Sequence, residues 1–210
     1  MIAATGIEEL LFELANALRV PVFVGAVGAL AFLLFDLGAF AVELSRRRGS
    51  RLGEVEQASA RARQALGSGD RTTAERALMP LASSGHMADT LSQLVGHHDH
   101  PGASDRRAKA LADFDLRSLR KLERSRMLVR FGPALGLMGT LIPLSPALEG
   151  LARGDVRQLS ENLRVAFSVT VIGLLIGAVA FAISLVRDRL YAQDLSDLEY
   201  VAAALDAEQP

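Results

Sequence analysis

Five hydroxyl side chains sit inside long uncharged stretches of this sequence: Thr140 and Ser145 in residues 131–148, and Ser168, Thr170 and Ser184 in residues 165–186. A hydroxyl both donates and accepts, so two at one level can hold a water or relay a proton toward a carboxylate, although neither titrates near neutrality. Thr140 lies nine residues before Glu149, and Thr170 nine residues after Glu161. At about 1.5 Å per helical residue, both hydroxyls lie about 13 Å from the same end of an antiparallel pair, and so share a depth. The alternative is that each threonine bonds its own helix backbone, as buried helical hydroxyls commonly do. The two stretches contain no acid. A proton-binding carboxylate must therefore come from a partner.

Asp36 is the one acid well inside an apolar run, residues 20–42. An intramembrane acid costs roughly 2.5–3.5 kcal/mol on insertion scales and is a functional candidate by default. It serves either as an auxiliary acid on an ion path or as the structural partner of a nearby basic group. Around the hydroxyls stand residues that shape backbones. Gly132 and Gly136, and Gly173 and Gly177, repeat at the spacing that lets helices approach closely, and Gly139 adds a further small position. Pro133, Pro143 and Pro146 each remove a backbone donor from the second span. The resulting kink either shapes a pore vestibule or is tolerated strain.

Other chemistries find less support. His97, His98, Asp99 and His100, with His86 nearby, are ligand types for zinc. Adjacent histidines in a glycine- and proline-bounded loop rarely aim at one centre, so a solvated loop and no metal are expected. No nucleotide-binding glycine loop or catalytic triad is present, so neither covalent catalysis nor a cofactor is expected. The net charge of -1 argues against a nucleic-acid partner, and the absence of cysteine excludes disulfides and Cys-ligated metal.

The elements that must position these residues follow from hydropathy. A bilayer core about 30 Å thick takes about 20 helical residues to cross. The runs at 131–148 and 165–186 hold 18 and 22 residues without a charge, and residues 20–42 form a third. The chain is 50% hydrophobic yet 22% charged, which suggests apolar spans joined to an aqueous part. The expected fold is all-α, an integral membrane protein with three transmembrane helices and long helices extending into the cytoplasm.

Its expected divisions are an extracytoplasmic amphipathic helix (1–19), the first span (20–44), a cytoplasmic helical region (45–127), the second span (128–149), an extracytoplasmic loop (150–162), the third span (163–187) and a cytoplasmic helical tail (188–210). Ile7, Leu10, Leu11, Leu14 and Leu18 form the apolar side of the first of these. Arg46, Arg47, Arg48 and Arg51 directly follow the first span and mark it as ending inside, which sets the N-terminus out and the C-terminus in. These arginines can also touch anionic lipid. In the aqueous part, Asp70 or Thr72 is expected to cap a helix after the break at 67–70, and Leu78, Leu81, Leu91, Leu94 and Val95 to pack together. No proline or glycine interrupts residues 105–131, which predicts one helix running into the second span.

Two segments carry a resemblance. Gly132-Pro133-Ala134-Leu135-Gly136-Leu137-Met138-Gly139-Thr140 and Ala166-Phe167-Ser168-Val169-Thr170-Val171-Ile172-Gly173-Leu174 resemble the paired motifs of the MotA/TolQ/ExbB proton-channel family. The motif-bearing part covers residues 128–192, and the span order and cytoplasmic insertion match in layout. The resemblance implies a homopentamer in the cytoplasmic (inner) membrane, with the single spans of two ExbD/TolR/MotB-like subunits in its pore. Ions crossing there would load an aspartate of the partner and drive relative rotation. By this resemblance Thr140, Thr170, Ser168 and Ser145 line the ion pathway. One position departs from the pattern: where ExbB-like members often carry glutamate, five residues before the threonine, this chain has Val165. The rival expectation is a membrane scaffold that conducts nothing.

Overall fold

The computed structural model describes residues 2–47, 52–97 and 102–206, among which helices and short turns are present and no strand. The helices are α1 (Ile2–Ala17), α2 (Arg19–Arg46), α3 (Leu52–Gly67), α4 (Arg71–Leu78), α5 (Gly85–Gly96), α6 (Ala103–Ala152) and α7 (Val156–Asp206), with one 3-10 turn at Met79–Leu81. Arg48 and Arg51 of the basic cluster, and His98, Asp99 and His100 of the histidine loop, lie outside the described residues.

Three helices are long and apolar enough to cross a membrane: Glu9–Ser45, Ala103–Ala152 and Val156–Asp206. Each contains one of the three apolar runs. The helix predicted from residue 105 into the second span is α6, 50 residues long, and its three prolines do not end it. Hydrogen bonding passes through the junction of α1 and α2, from Leu18 N to Leu14 O (3.1 Å) and from Val22 N to Leu18 O (3.0 Å). The leucines on the apolar side of α1 stay exposed, as they must if that side is to meet lipid.

Helical structure also consumes most of the segment read as a loop between the second and third spans. Only Arg153–Gly154–Asp155 separates α6 from α7. Gly154 takes φ +78°, open to glycine without strain, and the Asp155 carboxylate accepts from Gln158 N (2.9 Å), capping α7.

The chain divides into two compact units. The first comprises Met1–Gly38 and Arg124–Ser184. Here α6 and α7 run antiparallel: Gly132 faces Gly173 and Gly177, Gly136 faces Thr170, and Gly139 faces Val169. The approach is set by the absence of side chains. A Cβ on Gly173 would stand 2.6 Å from Gly132 O, and one on Gly132 would stand 2.8 Å from Gly173 O. Ile176, Ala180 and Ala147 complete the buried stripe.

The second unit comprises Ala39–Glu123 and Leu185–Pro210. Its core joins Val55, Ala62 and Leu66 of α3, Leu78 of α4, Leu81 of the 3-10 turn, Met87, Leu91, Leu94 and Val95 of α5, Phe114 of α6, and Leu198, Val201 and Leu205 of α7. All five residues expected to pack together are in it. Asp70 caps α4, accepting from Thr73 N (3.0 Å) and from the Thr73 hydroxyl (2.6 Å), which holds its carboxyl below the ordinary carboxylate range. Ser84 caps α5. Arg107, only 2% exposed, pairs with Asp206 and joins the start of α6 to the end of α7.

Candidate ion-conducting site

The glycine contacts of the first unit set α6 and α7 so close that a hydroxyl of one helix reaches the backbone of the other. Thr170 Oγ1 lies 3.1 Å from Gly136 O across the interface and 3.2 Å from Ala166 O of its own helix. Thr140 Oγ1 donates to Leu137 O (2.7 Å) and lies 3.4 Å from Gly136 O. Two hydroxyls from two helices thus converge on one carbonyl. The common depth worked out from residue spacing is realised as this shared oxygen. The backbone-bonding alternative is realised as well, most plainly at Thr140, whose shorter bond stays within its helix.

The other predicted residues fall at varied distances from this pair. Ser168 Oγ donates to Arg164 O of its own helix (2.8 Å) and lies on an exposed face. Ser145 is half-buried beside Pro146 in a crevice between α1 and α6. Pro143 is fully buried among the small residues, and the Pro133 ring lies against the site of Gly177 (2.9 Å). The bonds these prolines fail to close are those of the carbonyls four residues back: Val129, Gly139 and Ile142.

Asp36 does not join the threonines. Its carboxylate accepts from the Ser125 hydroxyl (2.8 Å), and Ser125 is itself fully buried. Ser125 precedes Thr140 by 15 residues, which is about 22 Å along α6.

Sequence reasoning missed an ionic cluster in the second unit. Arg47, one of the arginines read as a topology marker, turns inward. Its guanidinium bonds both Asp194 oxygens (2.7 and 3.0 Å) and Leu190 O (3.2 Å), and approaches Glu43 (3.5 Å). Glu43 also accepts from Arg187 (3.2 Å), and the Ser83 hydroxyl donates to Asp194 (2.9 Å). Tyr191 lies under Arg47 and Lys121, with their cations 5.7 and 5.9 Å from its ring centroid. Burial pushes the Asp194 carboxyl above its ordinary value, although Arg47 and the Ser83 hydroxyl pull the other way. Burial and the Glu43 charge raise the Tyr191 phenol. The sequence signal was faint: Glu43 and Arg47 are an i,i+4 pair, but nothing local points to Asp194, 147 residues later.

Of the histidines, His86 and His97 each have a buried Nδ1 with no hydrogen-bond partner among the described residues. Among these residues no three His, Cys, Asp or Glu are grouped to hold a metal.

The pattern of one protein family matches this arrangement. Residues 81–199, more than half of the chain, match the MotA/TolQ/ExbB proton channel family. The chain belongs to that family. The match reaches well beyond the two motif segments, taking in α5, all of α6 and most of α7. A comparison with curated proteins finds no match. Membership in the MotA/TolQ/ExbB family makes this a membrane protein and implies a proton-channel motor subunit that works in a membrane complex. The converging threonines lie within the matched region, as does the ionic cluster at Asp194, whereas Asp36, Glu43 and Arg47 precede it.

Proposed function

We propose that this chain is the channel subunit of a motor driven by proton-motive force in the cytoplasmic membrane. Several copies, five by family resemblance, form a ring around the single spans of an ExbD/TolR/MotB-like partner dimer. Ion flow past the partner's aspartate is converted into rotation or other mechanical work. The N-terminus is outside and the second unit is cytoplasmic.

The observation that carries this reading is the convergence of Thr140 and Thr170 on Gly136 O in apolar helices that hold no acid at that level. A hydroxyl pair can pass a proton but cannot keep one. The site therefore needs a carboxylate from outside the chain. The large apolar side chains exposed along α6 and α7, including Leu137, Leu141, Phe167, Leu174 and Phe181, supply surface for lipid and for neighbouring subunits.

The test is ion flux in liposomes containing the chain with a single-span partner that bears a membrane aspartate. Flux that requires the partner and falls in Thr140→Val and Thr170→Val supports the channel and locates its path. The bond from Thr140 to its own helix favours a second reading, a scaffold whose hydroxyls only satisfy backbone. An intact complex that passes no ions under any gradient would establish that reading instead.

A further inference from the structure

Near the end of α6 that carries Glu149, a crevice of about 140 Å³ opens between α1 and α6. Its walls are mostly apolar, from Phe12 and Leu141, but three of its lining residues have hydrogen-bonding groups to satisfy: Asn16 and Ser145 in their side chains and Ile142 in its backbone carbonyl. Asn16 and Ser145 make no hydrogen bond to another described residue. Pro146 has no N–H to close the helical bond to Ile142 O. An unsatisfied polar group in hydrocarbon costs several kcal/mol, and a lipid tail offers none of these groups a partner. Water offers all three a partner. A single water needs about 10–15 Å³ of such a cavity, so the crevice has room for several.

From these observations we infer that the crevice between α1 and the proline-bearing part of α6 is a water-filled port through which ions reach the threonine pair from outside. Ser145 lies five residues from Thr140 and four from Glu149, about 7.5 Å and 6 Å along the helix. The port thus stands between the outer surface and the level where the hydroxyls converge. Asn16 and Ser145 supply both donors and acceptors, and Pro146 contributes by withholding a donor. This inference rests on the channel reading for its direction of flow, but the hydration of the crevice can be measured separately.

The absence of cysteine from the chain makes that measurement direct. The full chain carrying Ser145→Cys, Asn16→Cys or Leu144→Cys is placed with its partner in right-side-out membrane vesicles. A membrane-impermeant, permanently charged methanethiosulfonate is then added outside. Leu144 adjoins Ser145 in sequence but does not line the crevice. Because only a hydrated thiol ionises and reacts readily, thiols at 145 and 16 should label at least about tenfold faster than one at 144. Labelling at 145 should also reduce flux. Equal, slow labelling at all three positions would overturn the port, even if flux remains dependent on the threonines. Fast labelling of a complex that never conducts would uphold the hydrated crevice and overturn its role in ion passage. Ala15→Cys, a small change on the same wall, serves as a second probe if either polar replacement fails to reach the membrane.

Discussion

Thr170 lies within hydrogen-bond distance of carbonyls on two helices, and its replacement separates two roles. Thr170→Val removes the hydroxyl at nearly constant volume. Loss of one hydrogen bond, about 0.5–1.5 kcal/mol, corresponds to as much as about a tenfold fall in flux if the bond lies on the path. Thr170→Ser keeps the hydroxyl and should restore most of the flux, an outcome that a purely packing role would not produce. The glycines are tested by added bulk. A methyl on Gly173 meets the backbone of Gly132 and Gly136 at 2.6–2.8 Å, and backbone cannot step aside. Gly173→Ala should therefore lower the melting temperature of the detergent-solubilised chain by the equivalent of about 1–3 kcal/mol, the usual range for overpacking. At Gly139 the obstacles are a methyl and the Cβ of Val169, side-chain atoms that a small shift of α7 relieves, rather than backbone. Gly139→Ala should cost less, and the reverse order would refute the close-approach account.

Among the elements, α5 carries a built-in sensitivity to pH. Burial lowers the pKa of His86, the second residue of α5, and Lys121 and Arg117 of α6 add to the effect, while Asp89 opposes it. The folded protein therefore binds this proton less readily than the unfolded chain, whose value is near 6.5. Stability from this group is present above that value and is lost as pH falls through it toward the lower folded pKa. Thermal unfolding followed at pH about 7 and about 5 should show a decrease that His86→Gln flattens. An unchanged slope in that variant would assign the acid sensitivity to other groups.

For the whole molecule, the ionic cluster joins segments at opposite ends of the chain. The Asp194 side chain is 6% exposed and that of Arg47 8% exposed. Asp194→Ala would leave the buried Arg47 guanidinium with only the longer ionic contact to Glu43, a change that costs up to about 3–5 kcal/mol, the range for removing one member of a buried pair. Proteolysis of the second unit at ambient temperature should accelerate accordingly. Unaltered proteolysis would show that the cluster is not a clamp. Orientation is open to a direct check with the impermeant thiol reagent: Arg153→Cys, at the turn between α6 and α7, should label from outside, and Arg61→Cys, on α3, only after permeabilisation. Opposite labelling would invert the proposed topology and move the port to the cytoplasmic side.

What the amino-acid sequence determined by itself were features of period, composition and local spacing. The three apolar runs, the unbroken helix into the second span, a helix cap at Asp70 or Thr72 and the leucines of the second unit's core could all be read within a few residues of one another. So could the common depth of Thr140 and Thr170, because helical rise converts residue number into distance. Only the tertiary structure decided which partners those residues meet. It brought both hydroxyls to Gly136 O, paired Asp36 with Ser125, turned Arg47 inward to Asp194 and set Asn16 opposite Ser145. Each of those pairings depends on the rotation of one helix against another. That rotation is set by the sum of many side-chain contacts, glycine against glycine above all, and no local stretch of sequence records it.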